Sequence, residues 1–125
     1  MVAAQRIRVL LVDDHMMFRQ GLRTLLQCYP DIEVVAEASD GAEAVSKAYT
    51  VQPAVVVMDI SMPKMDGVAA TRLLKSQQSQ VTVLGLSVTG QGYQVDAMLK
   101  AGAVKVLTKE KAVDELYDSI KQAAV

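Results

Sequence analysis

Short apolar runs alternate along the chain with segments whose apolar residues follow helical spacing. Arg6–Val12 ends in four apolar residues and Val55–Met58 is apolar throughout, a pattern typical of strands buried on both faces. Val81–Leu86 and Val104–Leu107 predict two further strands. Ile32–Ala38 alternates only in part, so we predict a less buried strand at an edge of the sheet.

A helix is predicted after each of these strands. Asp40, three residues before Glu43, has the spacing of a capping box, and Gly102 stands where a C-terminal cap belongs. The predicted helices are His15–Cys28, with Phe18, Leu22, Leu25 and Leu26 on one face; Gly41 to about Val51; a helix capped by Asp66 that reaches about Ser76; one with Val95, Met98 and Leu99 on one face; and a last one with Val113, Leu116, Tyr117 and Ile120 on one face. Alternating strands and helices imply an α/β fold, a doubly wound parallel sheet with helices on both faces.

Length, composition and charge narrow the class of protein. The 125 residues suffice for one domain, which we predict to span residues 1–125 with its core at about 6–123 and no output domain. A 51% hydrophobic content argues against disorder, and a net charge of −1 gives no basic surface for nucleic acid. No signal peptide or membrane-length apolar stretch is apparent, and the single cysteine, Cys28, suits a reducing cytoplasm.

Polar residues with chemical potential follow four of the five predicted strands. Asp13 and Asp14 follow the first strand, Asp59 the third, Ser87 the fourth and Lys109 the fifth. Ligands of such sheets bind beyond the carboxyl ends of the strands, so these side chains are expected to form one site.

Three converging carboxylates repel one another, so at least one pKa should be raised. A hard divalent cation relieves this repulsion, and Mg²⁺ favours one or two carboxylates plus water. Asp14 and Asp59 are predicted as direct ligands and Asp13 as a ligand through water. Lys109 adds positive charge, so Asp59 can serve as the nucleophile that forms an aspartyl phosphate, with Ser87 donating a hydrogen bond to it.

The sequence resembles the receiver domain of two-component response regulators along essentially its whole length. The motifs that carry this resemblance are VDDH at 12–15, MDISMPKMDG at 58–67, LS at 86–87 and TK at 108–109. The segment DDHMMFRQGLRTLL at 13–26 is similar to the NarL/FixJ subfamily, which has a LuxR-type output. The resemblance implies a flavodoxin-like five-stranded sheet in the order 2-1-3-4-5 with five helices.

The resemblance also implies a function. Asp59 would take a phosphoryl group from a sensor histidine kinase or a phosphotransfer protein, and the Ser61 carbonyl would be a further Mg²⁺ ligand. Ser87 would move toward the phosphate and switch the conformation, which would control a DNA-binding transcription-factor domain absent from this chain. We expect slow self-dephosphorylation rather than enzyme turnover, a possible phosphorylation-dependent homodimer, and no nucleic acid or membrane bound by this domain itself.

Three positions depart from the family pattern. Val106 stands where a Tyr or Phe is frequent, and Val88 stands where an alanine is common after the Ser or Thr. Glu110 replaces a frequent proline, so a trans peptide is predicted after Lys109. The mobile segment of the switch is expected around Gly90 and Gly92.

Other residues have simpler interpretations, and other functions stay open. His15 is predicted to lie at the surface, Cys28 and Tyr117 to pack, and Gly67 to serve a turn. The alternatives are a Mg²⁺-dependent phosphohydrolase, a flavin-binding module, and a docking module that is never phosphorylated. The adjacent pair Asp13–Asp14 and the short loops disfavour the first two, and retention of all the acids disfavours the third.

Overall fold

A computed structural model describes residues 5–89 and 92–125, and every structural statement below refers to these ranges. Strands and helices alternate strictly through both ranges. The strands are β1 (Ile7–Val12), β2 (Ile32–Ala38), β3 (Val55–Asp59), β4 (Thr82–Ser87) and β5 (Lys105–Thr108). The helices are α1 (Met16–Gln27), α2 (Gly41–Val51), α3 (Gly67–Gln77), α4 (Tyr93–Ala101) and α5 (Lys109–Ala123). The predicted order of elements is confirmed.

The strands form one parallel sheet in the order β2-β1-β3-β4-β5. β2 lies at an edge, as its partial alternation predicted, and its pairing with β1 shifts register between Val9 and Leu10. The central strand β3 is buried along its whole length, including its terminal Asp59. The order places the ends of β1, β3 and β4 next to one another at the carboxyl edge.

The core consists of two layers because successive side chains of each strand point to opposite faces of the sheet. One layer packs α2, α3 and α4 against strand residues such as Leu10, Val56 and Met58. The other packs α1 and α5 against residues such as Val9, Val57 and Leu84. The sheet is thus covered on both faces, as the alternation of elements predicted.

The helix ends carry the predicted caps. Asp40 accepts a hydrogen bond from Glu43 N at 2.8 Å, and Asp66 accepts one from Ala69 N at 2.9 Å. The Glu43 carboxylate accepts a hydrogen bond from Ser39 N at 2.6 Å, and Ser39 lies one residue before the position that donates in a standard capping box. Gly102 ends α4 with φ of 125°, a conformation that glycine adopts without strain.

Several packing predictions were wrong in detail. Val113 is 56% exposed, and Ala112 takes its place on the buried face of α5. Leu99 is 43% exposed, and Cys28, which was predicted to pack, is exposed. Helical spacing identifies a stripe but not its centre, so a rotation by one residue exposes the flank of the predicted face.

Other predictions were confirmed. Tyr117 packs against the α1–α5 layer and stacks on Tyr29, with ring centroids 3.7 Å apart. The described ranges contain no cis peptide, so the bond after Lys109 is trans. Among the described residues, no helix has the length and apolar character needed to span a membrane. The predicted mobile segment around Gly90 and Gly92 includes Gly90, which lies outside the described residues.

Candidate metal and phosphoryl-acceptor site

The first two acids follow β1 at the carboxyl edge of the sheet. The Asp13 N–H donates to the Ala38 carbonyl at 3.1 Å, which continues the pairing with β2 by one residue. The Asp13 carboxylate is 1% exposed and accepts the N–H of His15 at 2.8 Å. The Asp14 side chain is 30% exposed. Asp13 is therefore fixed inside the edge, whereas Asp14 is partly exposed to solvent.

Asp59 ends β3, and its side chain is only 4% exposed. The chain turns sharply after it. Gly67 N donates to the Ile60 carbonyl at 2.7 Å, and a Cβ added at Gly67 would lie 2.1 Å from the Asp59 carbonyl oxygen. Gly67 thus serves this connection by letting the start of α3 approach the backbone of the acid.

Lys109, the first residue of α5, reaches across to both buried acids. Its Nζ lies 2.8 Å from Asp13 Oδ2 and 3.4 Å from Asp59 Oδ2, and its side chain is 14% exposed. The same Nζ lies 5.0 Å from the centre of the Phe18 ring, a favourable cation–π distance. One cation therefore serves two carboxylates, which leaves negative charge in excess.

Burial and this excess of negative charge raise the pKa of Asp59. Burial, followed by the charge of Asp13, raises the pKa of Asp59 to about 7, and Lys109 only partly opposes the rise. The expectation that one of the converging acids has a raised pKa is confirmed. A bound divalent cation would reverse the balance by favouring the ionised form.

The donor atoms lie close enough for a metal ion. Ligand atoms of Asp13, Asp14, His15 and Asp59 all lie within 4.8 Å of one another. Three of the four donors are carboxylates, which are hard ligands of the kind that Mg²⁺ prefers. This acidic cluster, together with the excess charge at Asp59, could therefore hold a divalent cation.

The remaining predicted residues lie along the same edge. Ser87 ends β4, is 8% exposed and pairs in register with Thr108 of β5. Ser61 is exposed and comes two residues after Asp59. Val88 is 76% exposed, whereas Val106 is half-buried against the layer formed by α2, α3 and α4.

Three residues that lie near the site were not predicted to belong to it. His15 is exposed as predicted, yet its Nδ1 lies 3.1 Å from both Asp13 Oδ1 and Lys109 Nζ. Phe18 was assigned only to the buried face of α1, although it also underlies Lys109. Arg19 donates to the Asp13 carbonyl at 2.5 Å. His15 and Phe18 could have been suggested by their nearness to the acid pair, one and four residues after Asp14, whereas Arg19 carried no such signal.

A parallel five-stranded sheet in this order has the flavodoxin-like fold. The acids and the lysine at its carboxyl edge are the features of a receiver domain with this fold. The sequence model of the response regulator receiver domain matches residues 9–121, and the chain belongs to this family. The similarity extends beyond the motifs to nearly the whole domain.

Named relatives refine this assignment. The chain is 40% identical over 123 residues to the transcriptional regulatory protein DegU of Brevibacillus brevis, covering 98% of this chain and 52% of DegU. It is 41% identical to the transcriptional regulatory protein LiaR of Bacillus subtilis, covering 94% of this chain and 56% of LiaR. The signal receiver domain of NarL from Mycobacterium tuberculosis superposes with a TM-score of 0.91 at 31% identity, covering 96% and 97% of the two chains. These similarities support the NarL/FixJ subfamily, and the chain spans about half the length of the curated relatives that it matches.

Proposed function

We propose that Asp59 is the phosphoryl acceptor of this receiver domain and that acceptance depends on Mg²⁺. The observation that carries the proposal is the convergence of Asp13, Asp14 and Asp59 at one edge of the sheet against the single ammonium of Lys109. Asp59 is the buried member on the central strand, next to the cation. A nucleophile in that position is oriented by a rigid element rather than by a loop.

The residues have separate tasks in the proposed transfer. The ionised Asp59 oxygen forms a bond to phosphorus while the bond from phosphorus to the donor's leaving group breaks, and the leaving group takes up a proton. Asp14, Asp59 and the Ser61 carbonyl would hold the metal directly and Asp13 through water. Bound Mg²⁺ would supply positive charge to the phosphoryl oxygens. Lys109 neutralises a further oxygen, and Ser87 donates a hydrogen bond from the neighbouring strand.

The partners follow from the chemistry and from the family. The donor would be a phosphohistidine of a sensor kinase or of a phosphotransfer protein, acting in the cytoplasm. Turnover would be limited to slow self-dephosphorylation, so the domain acts as a switch and not as an enzyme. Because DegU and LiaR are transcriptional regulators, we propose that the switch controls a DNA-binding output and involves a homodimer, while this domain itself binds no nucleic acid.

The direct test is the intact mass of the protein after exposure to acetyl phosphate, with and without Mg²⁺. We expect a gain of one phosphoryl group that requires Mg²⁺ and is absent from Asp59→Asn. Asp40→Asn is the matched control, since Asp40 is also a buried acid after a strand, and asparagine retains its capping role. No gain in the wild type under any condition would reject the proposal and favour a docking module.

A further inference from the structure

Arg19 connects the metal site to the edge strand β2. It lies in the first turn of α1, and its side chain is only 14% exposed. Nη1 donates to the carbonyl oxygen of Asp13 at 2.5 Å, and Nε donates to Glu37 Oε1 at 2.9 Å. One planar guanidinium thus joins the backbone of the acid pair to a carboxylate on the neighbouring strand.

Glu37 is itself firmly held. Its second carboxylate oxygen accepts a hydrogen bond from Arg23 Nη1 at 2.6 Å, and its backbone carbonyl accepts one from the Lys47 ammonium. Burial raises the pKa of Glu37, but the bonds from Arg19 and Arg23 outweigh burial and hold the pKa below its usual value. The anchor of Arg19 therefore stays ionised and in place at neutral pH.

The carbonyl that Arg19 binds belongs to the peptide that joins Asp13 to Asp14. The orientation of this peptide sets the direction in which the Asp14 backbone continues. Asp13 N is already bonded to Ala38 O, and its carboxylate to His15 N. Arg19 adds the hydrogen bond to the carbonyl of this peptide.

We propose that Arg19 is a positioning residue of the metal site, which orients the Asp13–Asp14 peptide so that both carboxylates face Asp59. This inference rests on the proposed function, because it concerns the geometry of the same Mg²⁺ site. Arg19 touches neither the metal nor the phosphoryl group; it acts through the peptide that carries two ligands. Residues that orient metal ligands commonly change metal affinity by about 10- to 100-fold when they are removed.

The neighbouring Arg23 separates this role from a merely structural one. Both arginines form an ion pair with Glu37, which ties α1 to β2. Only Arg19 also bonds to Asp13. If only the ion pairs with Glu37 mattered, loss of either arginine would change the Mg²⁺ affinity of the site to the same extent.

The experiment measures the Mg²⁺ dissociation constant by isothermal titration calorimetry, together with the melting temperature, for the wild type, Arg19→Gln, Arg19→Lys and Arg23→Gln. We expect Arg19→Gln to raise the dissociation constant about tenfold or more and Arg23→Gln to leave it within about twofold, while both lower the melting temperature modestly. Arg19→Lys keeps the charge but lacks the planar fork, so it should also weaken binding. Acetyl phosphate labelling of Arg19→Gln should recover at saturating Mg²⁺.

The outcomes are distinguishable. If the wild type binds Mg²⁺ and is phosphorylated but Arg19→Gln has the same dissociation constant, the inference is overturned and the proposed function stands. Equal weakening in Arg23→Gln, or wild-type affinity in Arg19→Lys, also overturns orientation by the fork. If the wild type neither binds Mg²⁺ nor accepts the phosphoryl group, the proposed function fails and the inference falls with it.

Discussion

Asp59 is a charged side chain at a position where an apolar one would favour the folded state. It ends a strand of otherwise apolar residues and shares the ammonium of Lys109 with Asp13. A buried carboxylate in this setting destabilises the protein when ionised. Such a cost is typical of functional sites, where a group must be held ready to react.

The raised pKa of Asp59 predicts the pH dependence of stability without metal. Because the pKa is about 7 in the folded protein and about 3.8 ordinarily, the folded state binds this proton more tightly than the unfolded chain does. The stabilisation from protonated Asp59 is complete below about pH 4 and is lost as the pH rises through 7. The free energy of unfolding, measured with urea in the presence of EDTA, should therefore be lower at pH 8 than at pH 5.5 because of Asp59.

Asp59→Asn is the control for this prediction. The variant lacks the titrating group, so its stability should change less between these two pH values, and at pH 8 it should exceed that of the wild type. Equal pH dependence in the two proteins would contradict the assignment to Asp59. Mg²⁺ should raise the melting temperature of the wild type at pH 8 more than that of the variant.

At the scale of elements, the connection from β3 to α3 depends on a close backbone approach. A Cβ on Gly67 would lie 2.1 Å from the Asp59 carbonyl oxygen and 2.8 Å from Ile60 Cα, both backbone atoms that cannot easily move. Gly67→Ala should lower the free energy of unfolding by at least about 1–3 kcal/mol, as measured by chemical denaturation.

Gly21→Ala also adds one methyl group to a glycine, but it should have the opposite effect on stability. Gly21 lies within α1, and nothing stands within 4 Å of an added Cβ. This substitution should stabilise the protein by about 0.5–1 kcal/mol, because alanine loses less backbone entropy in a helix. A neutral Gly67→Ala together with a destabilising Gly21→Ala would contradict the described packing.

A second contact between elements ties the connection before β2 to α5. Asp31 accepts hydrogen bonds from Lys121 at 2.7 Å and from Tyr117 at 2.8 Å. These two bonds, that of Lys121 above all, hold the pKa of Asp31 below its usual value. The contribution of Asp31 is therefore present above the ordinary carboxyl pKa and lost as the pH falls through the lowered one.

Asp31→Asn should remove this acid-sensitive contribution. The variant is expected to be less stable than the wild type at pH 7, with the difference narrowing as the pH falls below about 4. Melting temperatures recorded from pH 7 to pH 3 would measure it. A difference that widens toward low pH would disprove the assignment.

At the scale of the whole molecule, the residues that stabilise the fold and the residues of the candidate site lie in different parts of the structure. The two core layers cover the faces of the sheet, whereas the acids lie at its carboxyl edge. Leu26 is fully buried in the α1–α5 layer. A substitution there removes core contacts without touching the ligand atoms.

Leu26→Ala should lower the free energy of unfolding by about 2–5 kcal/mol. The Mg²⁺ dissociation constant of the folded protein should stay within about twofold of the wild type. Denaturation and calorimetry on the same sample would measure both quantities. A change in metal affinity as large as that expected for Arg19→Gln would show that the edge is not independent of the core.

Much of the molecule could be predicted from local patterns. Apolar runs identified the strands, partial alternation placed β2 at an edge, and Asp40, Asp66 and Gly102 marked helix ends. Asp59 stood out because a charge follows an apolar run. The motifs supplied the family and, with it, the order of the strands.

Contacts between distant elements were not readable in the same way. Val113 was wrongly assigned to the buried face of the last helix because helical spacing does not fix the rotation of a stripe against its neighbours. Cys28 was assigned to packing from its place near the end of the first helix, and it is exposed. Arg19 carried no signal of its own, since an arginine on a helix is usually solvated. Its partners come from the end of β1 and from β2, and only the folded sheet brings them together.

The sequence by itself determined the order of elements, the edge strand and the acids that follow strands, because these depend on local periodicity and on which residues break it. The tertiary structure alone decided that Lys109 is shared between Asp13 and Asp59, that Asp59 therefore has a raised pKa, and that Arg19 holds the Asp13 carbonyl. These properties depend on distances between groups far apart in the chain. Burial and Coulomb energy are set by such distances, and no local pattern encodes them.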